Sequence, residues 1–179
     1  MNAPQPIPAI WTTGSTEAVK TGTWRAALPH YIDAPSPCHQ ACPVNGDIAE
    51  WIGLARQRDF RAAWDVLTRH NPFPAVAGRI CHHPCETACN RAGFDAPLAI
   101  CKLERFVGDL AIEHGWAYAA PEIEYAQHVA VVGGGPSGLS AAFQLRRRGF
   151  KITIYEAQPE LGGLMRYGIP AYRLAREVL

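Results

Sequence analysis

The sequence predicts two regions of different fold class: a small α-helical domain that carries clustered cysteines, followed by the start of an α/β domain. Three observations lead to this prediction. Cysteines recur at a spacing of four in the segments 38–42 and 81–89. Around these segments, apolar residues repeat at helical spacing. From His128 onward, a β-branched run ends in a glycine-rich loop, which is typical of a strand that leads into a phosphate-binding turn.

The composition indicates a folded domain in a reducing compartment. The 179 residues suffice for one ordinary domain, or for one small domain and part of another. A net charge of +1 gives no indication of a nucleic-acid or membrane-surface partner. No apolar run reaches the roughly 18 residues of a membrane span, and the amino-terminal residues lack the pattern of a signal peptide. We therefore expect a cytoplasmic protein, whose clustered cysteines indicate a metal or redox site rather than disulfides.

Domain boundaries are predicted from changes in composition and period. Prolines recur through residues 1–36 with little periodicity, so this segment is expected to be an extended arm. Residues 115–127 show no clear period and are expected to be a linker. The helical domain therefore spans residues 37–114, and the α/β domain begins at residue 128 and continues to residue 179.

Three helices are expected in the helical domain. The first follows Asp47, whose side chain, or that of Asn45, is expected to cap the free backbone N–H groups. The second begins at about Asp59 and is stopped by the prolines of the 71–74 segment. The third covers residues 98–114. The cysteines are expected in the loops between these helices.

The loop after the first predicted strand has the pattern of a dinucleotide-binding fingerprint. Gly133, Gly135 and Gly138 lie between a predicted strand and a predicted helix, and Glu156 ends a second predicted strand. The glycines let the backbone approach a pyrophosphate, which then lies at the helix N-terminus. The carboxylate of Glu156 is expected to accept hydrogen bonds from the ribose hydroxyls of an adenosine. An acid at this position disfavours a 2′-phosphate, so the site is not predicted to bind NADPH.

FAD is the expected dinucleotide. Pro136 within the loop and the Gly162–Gly163 doublet favour FAD over NAD, because the doublet lets the backbone pass close to the flavin's diphosphate half. Only two strands and one helix of this Rossmann-type fold precede Leu179, too few to offset a chain entropy of about 1–2 kcal/mol per ordered residue. We therefore expect an incomplete FAD-binding domain, as in a truncated chain or the first part of a longer protein. The predicted cofactor-binding residues are Gly133, Gly135, Pro136, Ser137, Gly138, Glu156, Gly162 and Gly163.

Two metal chemistries suit the clustered thiols. Zinc sites place paired ligands two to four residues apart, and Cys81 and Cys85 with a neighbouring histidine have that spacing. However, five or six thiolates exceed what one zinc ion needs, and zinc gives no reason for a flavin fingerprint downstream. An iron–sulfur cluster agrees better, because Cys38-x3-Cys42-Pro43 reproduces the last step of the bacterial ferredoxin run. Pairing one-electron clusters with a two-electron flavin is also sensible chemistry.

The order of these motifs resembles a known family. Four motifs follow one another as in glutamate synthase small-subunit-like flavoproteins. They are the C-x3-C-P step, the Gly-Arg-Ile-Cys stretch at 78–81, Leu-Glu-Arg-Phe at 103–106 and the glycine loop at 133–138. The order is also similar to the N-terminal iron–sulfur and FAD part of dihydropyrimidine dehydrogenase. The ending at 162–174 resembles the family's signature after the second strand. The resemblance covers about residues 36–179.

The resemblance implies that one [4Fe–4S] cluster is held by Cys42, Cys81, Cys85 and, by alignment, Glu104. A second cluster would use Cys38 and Cys89 with two upstream cysteines, which this sequence lacks. Either other side chains substitute for them, or the protein holds a single cluster. The candidates for substitution are His30, Asp33 and Cys101.

The resemblance also implies an NAD(P)H-dependent electron-entry module. In that family a further C-terminal domain binds the pyridine nucleotide, FAD accepts the hydride, and the clusters pass electrons to a partner subunit or domain. The chain is therefore expected to be an oxidoreductase segment with no catalytic acid or base of its own. The alternative is a non-enzymatic accessory chain that keeps the cluster domain for docking or relay but has no flavin turnover. A zinc-stapled interaction module is the third interpretation.

Overall fold

The computed structural model describes residues 34–179, and residues 35–179 form one compact unit. The predicted extended arm, except for its last three residues, lies outside the described residues, as do His30 and Asp33. Within the described part, helices occupy residues 37–113 and an α/β region follows from residue 128. None of the helices described is both long and apolar enough to cross a membrane.

The first region consists of helices joined by short loops. Helices α2, α3 and α6 are the ones predicted from apolar spacing, and they are confirmed. Helices α1, α4 and α5 are short and carry or flank the cysteines. The order is α1 (Pro37–Ala41), α2 (Ile48–Arg56), α3 (Phe60–Leu67), α4 (Pro74–Ile80), α5 (Pro84–Thr87), a 3-10 turn (Asn90–Gly93) and α6 (Ile100–Glu113).

The hydrophobic core lies between the apolar faces of α2, α3 and α6. Trp51, Trp64 and Val107 come from these three helices in turn, and each is almost fully buried. Burying an apolar side chain of this size stabilises the fold by about 1.5–3 kcal/mol. Cys85 of α5 belongs to the same buried cluster. The core therefore holds one of the predicted metal ligands in place.

Helices α4 and α6 cross at close range because glycine stands at both contact points. A Cβ atom on Gly78 would lie 2.5 Å from Cα of Arg105, and one on Gly108 would lie 2.7 Å from Cα of Ala75. Real Cβ atoms do not approach other carbon atoms so closely. The crossing fixes the end of α4, and with it Cys81, against α6.

The second region is a parallel β–α–β unit. Strands β1 (His128–Val132) and β2 (Lys151–Tyr155) pair in parallel, and α7 (Pro136–Arg147) connects them. A short helix α8 (Leu164–Tyr167) and a 3-10 turn (Arg176–Val178) follow. The fingerprint requires this strand–turn–helix–strand order. The predicted fold class, a helical region followed by the start of a Rossmann-type unit, is confirmed.

Tyr118 joins the two regions. Its ring stacks on Trp64 at a centroid distance of 4.9 Å and meets Phe143 of α7 edge-on at 4.7 Å. Its hydroxyl donates to the carbonyl of Pro72 at 2.6 Å. The segment predicted as a linker, residues 115–127, contains no helix or strand, but this tyrosine is packed on both sides. Burial accordingly raises the pKa of Tyr118.

The prediction that Asp47 or Asn45 caps α2 is wrong. The side chain of Asp47 accepts no capping hydrogen bond. Its carboxylate instead lies 3.3 Å from Nε2 of His70 and 3.8 Å from a guanidinium nitrogen of Arg69. Asn45 adopts a left-handed backbone conformation with φ of 56°. Arg69 and His70, which follow α3, thus hold the carboxylate in place of the helix N-terminus.

The prediction that the cysteines lie in loops is also wrong for part of the set. Cys38 and Cys85 lie within α1 and α5, whereas Cys101 lies in α6, inside the helix predicted over residues 98–114. The short helices were missed because proline was treated only as a helix terminator. Pro37 and Pro84 instead occupy the first position of a helix, where the missing N–H removes no intrahelical hydrogen bond and the fixed φ suits the helix.

Candidate cluster and dinucleotide site

Three thiols from separate helix ends share one space. Cys42 directly follows α1, Cys81 directly follows α4, and Cys85 is the second residue of α5. Burial raises the pKa of the Cys85 thiol to about 12, and the neighbouring charges of Cys42 and Cys81 raise it further. Like charges act this way only when they lie close to one another. The structure therefore brings together three of the four residues predicted to hold the first cluster.

The backbone around these thiols is shaped to turn sharply. His83 adopts a left-handed conformation with φ of 51°, which reverses the chain between Cys81 and Cys85. The N–H of His83 also donates to the sulfur of Cys81 at 3.4 Å. Gly46 lies beside the sulfur of Cys42, which a Cβ atom would approach to 3.7 Å. These local features orient sulfur atoms that come from distant parts of the sequence.

Cys101 and Glu104 lie one turn apart on α6, and Cys101 lies close to both Glu104 and Cys81. The sulfur of Cys101 donates to the carbonyl of Gly78 at 3.3 Å. Burial raises the pKa of Cys101 to about 11, and the charges of Glu104 and Cys81 add to the effect. Burial also raises the pKa of Glu104 to about 7, although Asn71 donates to its carboxylate at 2.7 Å. Glu104, the fourth predicted ligand, is therefore a partly buried carboxyl group one helical turn from Cys101.

Cys38 and Cys89, predicted for a second cluster, have different surroundings. The sulfur of Cys38 lies 3.1 Å from the hydroxyl of Ser36. Backbone N–H groups of Leu98 and Arg91 hold the pKa of the Cys89 thiol below its usual value. Two of the candidates that could complete that cluster, the side chains at positions 30 and 33, fall outside the described residues, and the third, Cys101, lies on α6. The assignment of Cys38 and Cys89 stays a prediction.

The thiols of the described residues are not arranged as a single-ion site. Within residues 34–179, no three or more His, Cys, Asp or Glu side chains are grouped so that they could hold one metal ion. In a [4Fe–4S] cluster each iron atom takes its own protein ligand. Such a cluster needs thiols that face one space without meeting at one point. All six cysteines are free, so none is withdrawn from ligation by a disulfide.

The glycine loop and Glu156 form the second candidate site. The carboxylate of Glu156 accepts from the N–H of Gly134 at 2.6 Å and from the N–H of Gln158 at 2.8 Å. These backbone donors, that of Gln158 foremost, hold the pKa of Glu156 below its usual value. An ionised carboxylate at the end of β2 thus lies directly beside the fingerprint. This is the position from which it would accept ribose hydroxyls.

The glycine doublet packs against the same loop. The N–H of Gly162 donates to the carbonyl of Gly134 at 2.8 Å. Gly162 and Gly163 adopt φ of 120° and 48°, which L side chains rarely adopt, and a Cβ atom on Gly163 would lie 2.7 Å from Cα of Gly135. Helix α7 begins at Pro136, so the free N–H groups of its first turn face this region. All predicted dinucleotide contacts lie in these two segments or on Glu156.

Sequence reasoning missed the role of two polar side chains. Asn71, interpreted only as part of a helix stop, binds Glu104. Glu86 accepts from the backbone N–H of Cys101 at 2.8 Å and so ties α5 to α6. Neither contact has a local signal, because each joins residues far apart in the chain. Only the position of Asn71 before a proline marks it as special.

Comparison with known proteins defines the class of the chain. Residues 31–116 match the family described as dihydropyrimidine dehydrogenase domain II, 4Fe-4S cluster. Residues 131–170 match the family described as NAD(P)-binding Rossmann-like domain. The chain thus consists of an iron–sulfur domain followed by a Rossmann-like segment, which is an arrangement typical of electron-transfer oxidoreductases.

Several curated proteins are similar over most of this chain. The NADP(+)-dependent formate dehydrogenase subunit beta of Moorella thermoacetica is 36% identical over 86% of the chain and 25% of its own length. The glutamate synthase [NADPH] small chain of Mycobacterium tuberculosis is 41% identical over 79% of the chain and 29% of its own length. The NAD-dependent dihydropyrimidine dehydrogenase subunit PreT of Escherichia coli is 38% identical over 80% and 35%.

The chain is similar to a glutamate synthase small chain and to dihydropyrimidine dehydrogenase subunits, and the resemblance predicted from its motifs is confirmed. It spans about a quarter to a third of the length of the curated relatives it matches.

Proposed function

We propose that this chain is the electron-transfer segment of an NAD(P)H-dependent iron–sulfur flavoprotein oxidoreductase. The observation that carries the proposal is the convergence of the Cys42, Cys81 and Cys85 thiols, which start from three different helix ends. Buried thiols without disulfide partners serve metal chemistry more often than stability in a reducing compartment. For the same reason we infer a cytoplasmic location.

The first cluster is assigned to Cys42, Cys81, Cys85 and Glu104. When bound, a [4Fe–4S] cluster exchanges single electrons, and FAD converts them to and from the electron pair of a hydride. The chain's own contribution is to desolvate these ligands and to fix their direction from the α4–α6 crossing. With two clusters, Cys38 and Cys89 would hold the second together with two further ligands; with a single cluster, they are not needed as its ligands. Cys101 is then a neighbour of the first cluster rather than its ligand.

FAD is assigned to the fingerprint loop, the glycine doublet and Glu156. Support comes from the ionised carboxylate beside Gly134 and from the close approach of Gly163 to Gly135. Val132 and Tyr155, which end the two strands, are 88% and 60% exposed. Open α/β sheets bind their ligands outside these carboxyl ends. The pyridine nucleotide is assigned to a further domain, as the partial coverage of the relatives suggests.

A partner subunit or domain is proposed as the electron acceptor and the place of substrate chemistry. The names of two relatives, a subunit beta and a dihydropyrimidine dehydrogenase subunit, describe parts of larger assemblies. No catalytic acid or base is assigned in this chain.

The test is anaerobic purification of the full chain, with iron, acid-labile sulfide and flavin counted and an EPR spectrum taken after reduction. About four irons per chain would indicate one cluster and about eight would indicate two. Cys85→Ser is expected to remove most of the iron, whereas Cys101→Ser should leave it in place. A colourless protein with zinc and no sulfide would refute the proposal.

The flavin count and NAD(P)H:dye reductase activity separate the two electron-transfer interpretations. Bound FAD with reductase activity in the assembly with its partner supports the flavoprotein. Iron and sulfide without flavin or reductase activity would favour the accessory chain instead.

A further inference from the structure

The side-chain amide of Asn71 accepts one hydrogen bond and donates another. Asn71 is 9% exposed and lies between α3 and α4. Its Oδ1 accepts from the backbone N–H of Phe73 at 3.0 Å, and its Nδ2 donates to Oε1 of Glu104 at 2.7 Å. A buried amide with both ends satisfied is a rigid group, because loss of either bond leaves a polar atom without a partner.

The contact with Phe73 determines which end of the amide meets Glu104. A backbone N–H needs an acceptor, so Oδ1 must face Phe73, and the NH₂ group must then face the carboxyl group. Within residues 34–179, Oε1 of Glu104 accepts this hydrogen bond and Oε2 accepts none. The carboxyl group is therefore fixed by one oxygen and leaves the other available.

We propose that Asn71 is a positioning residue for Glu104: it holds Oε1 so that Oε2 is free to bind iron. This inference rests on the proposed function, in which Glu104 is a cluster ligand. Side chains that orient metal ligands through hydrogen bonds are a regular part of metal sites, and their loss typically costs about 10–100-fold in metal affinity. Glu104 needs such a partner more than cysteine does, because its longer side chain has more rotamers to restrict.

The two hydrogen bonds of Asn71 can be separated by substitution. Asn71→Asp keeps the size of the side chain and the acceptor for Phe73, but it removes the donor to Glu104. The matched control is Asn45→Asp, which adds the same charge at an exposed position three residues after Cys42. Asn71→Ser removes the donor without adding charge, and it serves as the second variant where Asn71→Asp folds poorly.

The experiment uses the full chain, reconstituted anaerobically with iron and sulfide. Iron retained against a chelator is measured together with the EPR spectrum of the reduced protein and the thermal unfolding midpoint of the metal-free protein. Both substitutions at Asn71 are expected to lower the apparent iron affinity about 10–100-fold and to change the EPR spectrum. Asn45→Asp is expected to match the wild type in both readouts.

The outcomes distinguish this inference from the proposed function. A wild-type protein that takes up no iron and sulfide would refute both. A wild-type cluster whose iron retention and spectrum are unchanged by the Asn71 substitutions would refute the inference alone. So would a loss of iron that only follows a lower unfolding midpoint, with a wild-type spectrum from the cluster that remains.

Discussion

At the scale of single residues, the fourth ligand of the proposed first cluster is the sharpest question. Cys101 and Glu104 lie one turn apart on α6; Cys101 is buried near Cys81, and Glu104 is partly buried. The sulfur of Cys101 donates to the carbonyl of Gly78. That contact needs the S–H proton, because a thiolate facing a carbonyl oxygen would be repelled. Glu104 faces an amide donor instead, which tolerates an ionised carboxylate.

Glu104→Ala is therefore expected to lose most of the cluster iron or to give a different EPR spectrum. Cys101→Ala is the matched control on the same helix, and it should retain iron and spectrum. Iron and sulfide analysis after anaerobic reconstitution measures both variants. An unchanged cluster in Glu104→Ala would refute the ligand assignment, and loss of the cluster in Cys101→Ala would transfer that role to the thiol.

A second residue-scale prediction concerns Glu156. Two backbone N–H groups hold its carboxylate beside the glycine loop. Glu156→Gln removes the charge and one acceptor, and hydrogen bonds to charged groups contribute about 1.5–3 kcal/mol. The affinity for FAD is therefore expected to fall about 10–100-fold in a fluorescence titration. The control is Glu122→Gln at an exposed position, which should leave the affinity for FAD unchanged. Equal affinities in the wild type and both variants would contradict the role of Glu156.

At the scale of elements, proline explains both the success and the failure of prediction from sequence. Apolar spacing alone predicted α2, α3 and α6, because a regular period of core residues is visible without structure. Helices α1, α4 and α5 are too short to show a period. Each begins with a proline, and α7 likewise begins at Pro136. The same residue type both stops a helix and starts one, and only the structure distinguishes the two.

The candidate site divides in a similar way. The thiols and the glycine loop were predictable because their spacing follows local chemistry. Asn71 was not, since its partner Glu104 lies 33 residues away and nothing in the sequence pairs them. Pairing across such a distance is decided by the crossing of α4 and α6, which no local pattern encodes.

The α4–α6 crossing itself gives an element-scale prediction. Adding a methyl group at Gly78 or Gly108 forces the two backbones apart, and overpacking of this kind costs about 1–3 kcal/mol. The unfolding midpoint should fall by about 2–4 °C for each kcal/mol. Gly53→Ala is the matched control within α2, where a Cβ atom would meet nothing within 4 Å. It should raise stability by about 0.5–1 kcal/mol, because alanine restricts the unfolded chain.

Calorimetry or thermal unfolding followed by circular dichroism measures the three glycine variants. A Gly78→Ala protein as stable as the wild type would show that the crossing tolerates a wider spacing. Since Cys81 follows α4 directly, Gly78→Ala is also expected to retain less iron than Gly53→Ala.

At the scale of the whole molecule, a small set of contacts holds the helical region against the α/β region. Tyr118 lies between Trp64 and Phe143. The carbonyl of Arg69, just after α3, accepts from the side chain of Arg147 at 2.6 Å and from that of Gln144 at 3.1 Å. In the proposed function this joint matters because electrons pass between a site in each region.

Tyr118→Ala is expected to weaken the joint more than either region. Because Tyr118 is 46% exposed, the substitution is expected to lower the free energy of unfolding by about 1–3 kcal/mol, which is below the range for a fully buried aromatic residue. Tyr118→Phe keeps both ring contacts and loses only the hydrogen bond to Pro72, for a cost of about 0.5–1.5 kcal/mol.

Unfolding is followed in urea by tryptophan fluorescence, since all five tryptophans precede the α/β region, and by limited proteolysis of that region. In the wild type the two transitions should coincide, because the regions share packed aromatic contacts. In Tyr118→Ala the α/β region should become protease-sensitive at a lower urea concentration than the fluorescence change, whereas Tyr118→Phe should shift both together. Coincident transitions in Tyr118→Ala would mean that the polar contacts of Arg69 and the buried cluster of Val76, Met165 and Leu174 hold the regions together without the aromatic joint.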